Sequence, residues 1–169
     1  MLGLFMESVM SAGFKYLVAV ATYMGSVSAA QAVEVTMSGG GVCHPKLSSS
    51  EHVGYSYNGI YNNGLAPETI ECAFTMKYDA NITVMNVEIY AYDRNRAADI
   101  SCKVFGVGDA GYLLWTSSMA SAGSGQDPQW LLASINRPII GTLHMQCVLP
   151  GRQGVSVSSV STIRVTTSS

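Results

Sequence analysis

Four cysteines, Cys43, Cys72, Cys102 and Cys147, constrain this chain more than any other feature, because all of them follow a segment that reads as a secretion leader. Lys15 gives a weakly positive start, Tyr16 to Met24 form a short apolar run, and Ala30-Gln31-Ala32 supplies the small-x-small pattern of a cleavage site. Cleavage is expected after Ala32, with Met10 as a second candidate start. The apolar run is about half of the roughly 20 residues that span a bilayer, so no stable membrane span is expected once the leader is removed. Gly41-Val42 ahead of Cys43 puts a bulky residue where lipid attachment requires a small one. The expected location is therefore secreted or periplasmic.

In such an oxidising compartment an even set of thiols is expected to form two disulfides. Four thiols allow three pairings. The preferred one joins Cys43 to Cys72 and Cys102 to Cys147, since each bond then links segments that read as β, and the second ties strands far apart in sequence. Together the two bonds are expected to pin stacked, pleated layers.

A chain of 169 residues suits a leader over 1–32 followed by a single domain over 33–169. Its net charge of -2 offers no attraction to nucleic acid or to an anionic membrane surface. With only 12% charged residues, the surface must be wetted largely by hydroxyls and amides, a habit that suits exported β proteins.

Periodicity supports the same class. From Asn81 to Asp93, Met85, Val87, Ile89 and Ala91 alternate with Asn86, Glu88, Tyr90 and Tyr92, the period of a strand with one buried face. Ile100, Cys102 and Val104 repeat the pattern after Asp93-Arg94-Asn95-Arg96, which reads as a hairpin turn between neighbouring strands. Leu143, Met145, Cys147 and Leu149 form another inward face, so Cys102 and Cys147 are both in phase with core residues. Further strands are expected at Val33–Met37, Val53–Tyr57, Thr69–Met76, Tyr112–Ser117, Gln129–Ile135 and Ser159–Thr166, with turns at Asn62-Asn63-Gly64, Gly106 to Gly111 and Ala122 to Gly125. Helical periodicity is weak after the leader. The expected fold is all-β, a disulfide-stabilised antiparallel β-sandwich or jelly roll.

Asp93, Asn95 and Asp99 place three oxygen ligands in one loop, as calcium prefers, but Arg94 and Arg96 stand among them and the loop reads as a solvated turn. His44, His52 and His144 match no zinc spacing, and His144 takes the outward phase of its strand. Cys43 and His44 are no catalytic pair, because neighbours on an extended chain point opposite ways. No nucleophile elbow, phosphate loop or carboxylate pair is present, so the chain is expected not to be an enzyme and to need no cofactor or metal. The candidate binding residues are aromatic. Tyr55, Tyr57 and Tyr61 share one parity along a strand and turn, and Tyr90 and Tyr92 share an outward face, where rings can stack on sugars or on a protein partner.

Cys43-His44-Pro45, Tyr57-Asn58-Gly59-Ile60-Tyr61-Asn62, Cys72, Tyr90-Ala91-Tyr92-Asp93-Arg94, Ile100-Ser101-Cys102 and Met145-Gln146-Cys147-Val148-Leu149-Pro150 stand in an order that resembles a group of small secreted bacterial β-rich proteins with four cysteines and no assigned function. Ala73 stands where that group carries Pro. The resemblance implies export and a β fold and carries no functional residue. The leading expectation is an exported, non-enzymatic binding or structural protein of the envelope or extracellular space, with a protein or glycan partner or with itself. Its alternative is a carbohydrate-binding module using surface tyrosines, and a hydrolase comes third.

Overall fold

Hydrophobic alternation with period two can be satisfied only if each strand buries one face, and a computed structural model of the chain resolves that demand into two facing antiparallel sheets. It describes residues 32–47, 51–57, 59–75, 82–108, 111–122, 128–136 and 142–168. The expected leader, apart from Ala32, lies outside the described residues, as do Met76, Asn81, Asp109, Ala110 and Gly123 to Gly125 of the expected strands and turns.

Among the described residues eleven strands occur in the order β1 (Val33–Ser38), β2 (Cys43–Pro45), β3 (Val53–Ser56), β4 (Gly59–Asn62), β5 (Glu68–Thr75), β6 (Val84–Tyr92), β7 (Ser101–Val107), β8 (Leu113–Ala120), β9 (Pro128–Ile135), β10 (Thr142–Leu149) and β11 (Ser158–Ser168). One sheet runs β3-β4-β11-β6-β9, with β1 also paired to β11; the other runs β2-β5-β10-β7-β8. The inward faces meet in one core built from Met85, Val87, Ile89, Val160, Ile163 and Val165 on the first sheet and Ile70, Val104, Leu143, Met145 and Leu149 on the second, all at 0% exposure. This is the all-β sandwich that the alternation requires.

A single helical turn, α1 (Gly39–Val42), separates β1 from β2 and packs on β4 and β11. Its glycines reflect that approach. A Cβ on Gly39 would meet the Val160 carbonyl oxygen at 2.5 Å. Gly59, where β4 begins, has φ of 121° and abuts the same Val160 carbonyl, so only glycine fits both demands there.

Both disulfides form as expected, Cys43–Cys72 and Cys102–Cys147. Each joins residues directly opposite in register, Cys43 with Cys72 across β2 and β5, and Cys102 with Cys147 across β7 and β10. The expectation that they pin the two layers together is therefore corrected: both lie inside the five-stranded sheet. The reason is steric, since paired residues on adjacent strands bring their Cα atoms to 4.0 Å here, within the reach of a disulfide, whereas facing sheets stand about 10 Å apart.

The hairpin expected at 93–96 is also corrected, because β6 belongs to one sheet and β7 to the other, so the segment crosses the sandwich. Asp93 explains why. It is 1% exposed, not part of a solvated turn, and its Oδ1 accepts the Asn95 N–H and the Ser158 hydroxyl while its Oδ2 accepts the Ile100 N–H and the Ser121 hydroxyl. Those donors come from the ends of both sheets. Nearby, Asn62, at 0% exposure, donates from Nδ2 to the carbonyls of Ala66, Leu149 and Pro150 and accepts the Gly64 N–H at Oδ1. Asn95 Nδ2 reaches the Gly151 carbonyl. Side chains thus satisfy the crossing loops at one end of the sandwich where no ladder can.

Candidate functional site: an aromatic outer face

The outward phase of the six-stranded sheet follows directly from register. Tyr61 on β4 is opposite Ser159 on β11, which is opposite Tyr92 on β6. In the adjoining row Thr162 faces Tyr90, which faces Trp130 on β9; in the row beyond, Arg164 faces Glu88, which faces Leu132. Three strands therefore deliver aromatic rings to one surface.

The rings touch. Tyr90 and Trp130 lie 4.9 Å apart between centroids, and Tyr92 meets Tyr90 edge-on at 5.5 Å. The Arg164 guanidinium carbon sits 4.4 Å from the Trp130 ring centre, and its Nε donates to Glu88 Oε2, so a cation held by a carboxylate braces the indole. That hydrogen bond to Glu88 raises the Arg164 pKa further and keeps the group charged. Partial loss of solvent, followed by hydrogen bonding and repulsion from Tyr92, raises the Tyr90 pKa above its ordinary value, so its hydroxyl remains a donor. Trp130 is 47% exposed and Leu132 53%, so a large apolar area stays open to water.

Beside this platform an open pocket of about 410 Å³ is lined by Ser56, Tyr61, Tyr92, Arg94, Val157 and Ser159. Tyr92 serves both, with one contact to Tyr90 and one side on the pocket. The Tyr61 ring lies across Gly54, its partner on β3, where a Cβ would stand 2.4 Å from the ring.

Of the five tyrosines singled out by parity, Tyr90 and Tyr92 do share this face. Tyr55, Tyr57 and Tyr61 do not form one ladder, which corrects that expectation. β3 and β4 are a hairpin in which Tyr55 pairs with Ile60 while Tyr61 pairs with Gly54, so the reversal of the chain sends Tyr55 and Tyr61 to opposite faces. Tyr57 projects from the turn, 95% exposed. Sequence parity missed Trp130, Arg164 and the bracing Glu88. The signal for Trp130 was present in the outward phase of Gln129–Ile135, but nothing local showed that β9 would flank β6.

The other candidates do not converge. His44 is exposed on β2, His52 lies in the turn before β3, and His144 faces outward on β10 beside Phe105. Among the described residues no three of His, Cys, Asp and Glu gather to hold a metal. No described helix is long and apolar enough to cross a membrane.

No protein-family profile matches the sequence, and no curated protein matches it. Among solved structures, a xylan-binding module, CBM15, is similar with a TM-score of 0.52 and 10% identity over 81% of this chain and 97% of that one. The CBM36-1 domain of a multidomain xylanase from the hindgut metagenome of Trinervitermes trinervoides gives 0.46 and 13% over 79% and 96%, and a CBM36 module in complex with calcium and xylotriose gives 0.41 and 11% over 78% and 98%. The latter two scores carry no argument. At 10% identity the CBM15 likeness establishes architecture alone: this chain has the β-sandwich fold found in a carbohydrate-binding module.

Proposed function

We propose that the outer face of the six-stranded sheet binds carbohydrate and that the protein is an exported, non-catalytic sugar-recognition domain. The observation that carries this reading is the contiguous platform of Trp130, Tyr90 and Tyr92, with an exposed indole braced by Arg164 beside an open pocket. Flat rings suit the apolar faces of pyranoses, while Tyr hydroxyls and serines at the margin suit their hydroxyls. The architecture shared with a xylan-binding module supports the same class. Buried cystines fit export, and the leader expected before Val33 gives the route. Sugar stacking is favoured over a purely structural role because the rings lie on a sheet face, where a flat ligand can be laid.

The test is retention on insoluble polysaccharides, with xylan, cellulose, mannan and chitin run in parallel by affinity electrophoresis and pull-down. Trp130→Ala and Tyr90→Ala are expected to weaken the retained interaction about tenfold or more, the scale of a central aromatic anchor. Absence of retention on every polysaccharide, or retention indifferent to both substitutions, removes the proposal. Mass spectrometry of exported material is expected to show an N-terminus at Val33 and a mass lower by four hydrogens than the reduced chain.

A further inference from the structure

We infer that the pocket beside the platform takes a sugar unit bearing an oxyanion, a uronate carboxylate or a sulfate ester, with Arg94 as its partner; this rests on the carbohydrate reading above. Arg94 follows Asp93 directly, but the Asp93 carboxylate is turned inward and occupied by donors from Asn95, Ile100, Ser121 and Ser158. The neighbouring acid is thus spent on the core. The described ion pairs join Lys46 to Glu71 and Arg164 to Glu88, so among the described residues Arg94 has no carboxylate partner.

Its backbone is nevertheless held at the pocket. The Arg94 N–H is held by the Ser158 hydroxyl, and the guanidinium carbon lies 5.9 Å from the centre of the Tyr92 ring. The pocket that it borders carries serine and tyrosine hydroxyls and, among the described residues, no acidic side chain. Its volume of about 410 Å³ falls within the ordinary range of small-molecule sites. A guanidinium presents a planar fork of donors, which matches a carboxylate or a sulfate in two-point contact.

The surroundings reinforce the sign. Arg96 lies two residues further along the same loop, and Arg152 enters from the β10–β11 loop, which is bound to it through the Arg96 N–H to Gln153 Oε1 and Asn95 Nδ2 to the Gly151 carbonyl. Asp99 is the exposed acid of this loop pair and forms no ion pair among the described residues. Three arginines thus gather at one end of the chain against two acids of the same loops, Asp93 and Asp99, a small local excess of positive charge on a chain whose net charge is -2.

The experiment compares charged and neutral forms of one backbone by calorimetry and affinity electrophoresis at low ionic strength. Glucuronoxylan and polygalacturonate are paired with their carboxyl-reduced forms, and a sulfated galactan with its desulfated form. At least one charged form is expected to bind about tenfold more tightly than its neutral counterpart, the scale of a charge-assisted hydrogen bond at a partly exposed site. Added salt is expected to shrink the gap. Loss of the gap on carboxyl reduction identifies a uronate, and loss on desulfation identifies a sulfate ester. Arg94→Gln is expected to bring the ratio to about one and Arg94→Lys to keep part of it, while Lys103→Gln on the other sheet leaves it intact. Equal binding of charged and neutral forms overturns the assignment of the pocket and leaves the sugar reading standing. Failure of every form to bind overturns both.

Discussion

Arg164 carries its guanidinium carbon to 4.4 Å from the centre of the Trp130 ring, although β11 and β9 are separated by β6. The two side chains therefore meet over the intervening strand, and the cation is itself held by Glu88. Arg164→Ala is expected to lower stability only slightly, since it removes a surface cation–π contact and a partly exposed ion pair. It is also expected to shift Trp130 emission to longer wavelength as the ring loses its cover. Urea titration and fluorescence check both effects, and an unchanged spectrum contradicts the bracing role.

The two cystines close sequence separations of 29 and 45 residues within one sheet. Replacing either pair with alanines is expected to cost about 3–4 kcal/mol on chain-entropy grounds. The local consequences differ. β2 is a three-residue edge strand tied by Cys43–Cys72, so loss of that bond is expected to increase amide exchange selectively at positions 43 and 44. Loss of Cys102–Cys147 acts between interior neighbours and is expected to destabilise the whole sheet. Hydrogen exchange of the two double mutants distinguishes these patterns.

Asp93 accepts two backbone and two hydroxyl donors while 1% exposed. Asp93→Ala is expected to cost about 3 kcal/mol, because buried donors then lose their acceptor. A loss below about 1 kcal/mol in urea denaturation contradicts its place as the organiser of the crossing.

Asn62 offers a sharper contrast, since its amide nitrogen faces three carbonyl oxygens. Asn62→Asp is expected to destabilise more than Asn62→Ala, even though aspartate is closer in shape, because it sets oxygen against oxygen at a buried site. Thermal denaturation of both variants at neutral pH tests that order.

Period two was enough to locate β6, β7, β10 and β11 and to put Cys102 and Cys147 in the core, because burial of one face is a local property of the chain. The Cys43 segment read as β but its bounds did not show, and β4 was not legible as a strand: Cys43–Pro45 contains a proline and Gly59–Asn62 looks like turn chemistry, so tertiary pairing and not propensity sets both. Likewise Asp93-Arg94-Asn95-Arg96 has the composition of a hairpin, and only the inward rotation of Asp93 makes it a crossing. For the site, Tyr90 and Tyr92 were legible as an outward pair. Trp130 and Arg164 were not, because their meeting depends on the order β11-β6-β9, which no local pattern encodes.

That order has a consequence for synthesis. β11 is the last described strand, yet it alone joins the β3–β4 hairpin to the β6–β9 pair. The six-stranded layer must therefore wait for β11 to emerge before its halves can zip together, so a chain stalled before Ser158 displays two orphaned ribbons with unpaired edges, ready prey for proteases.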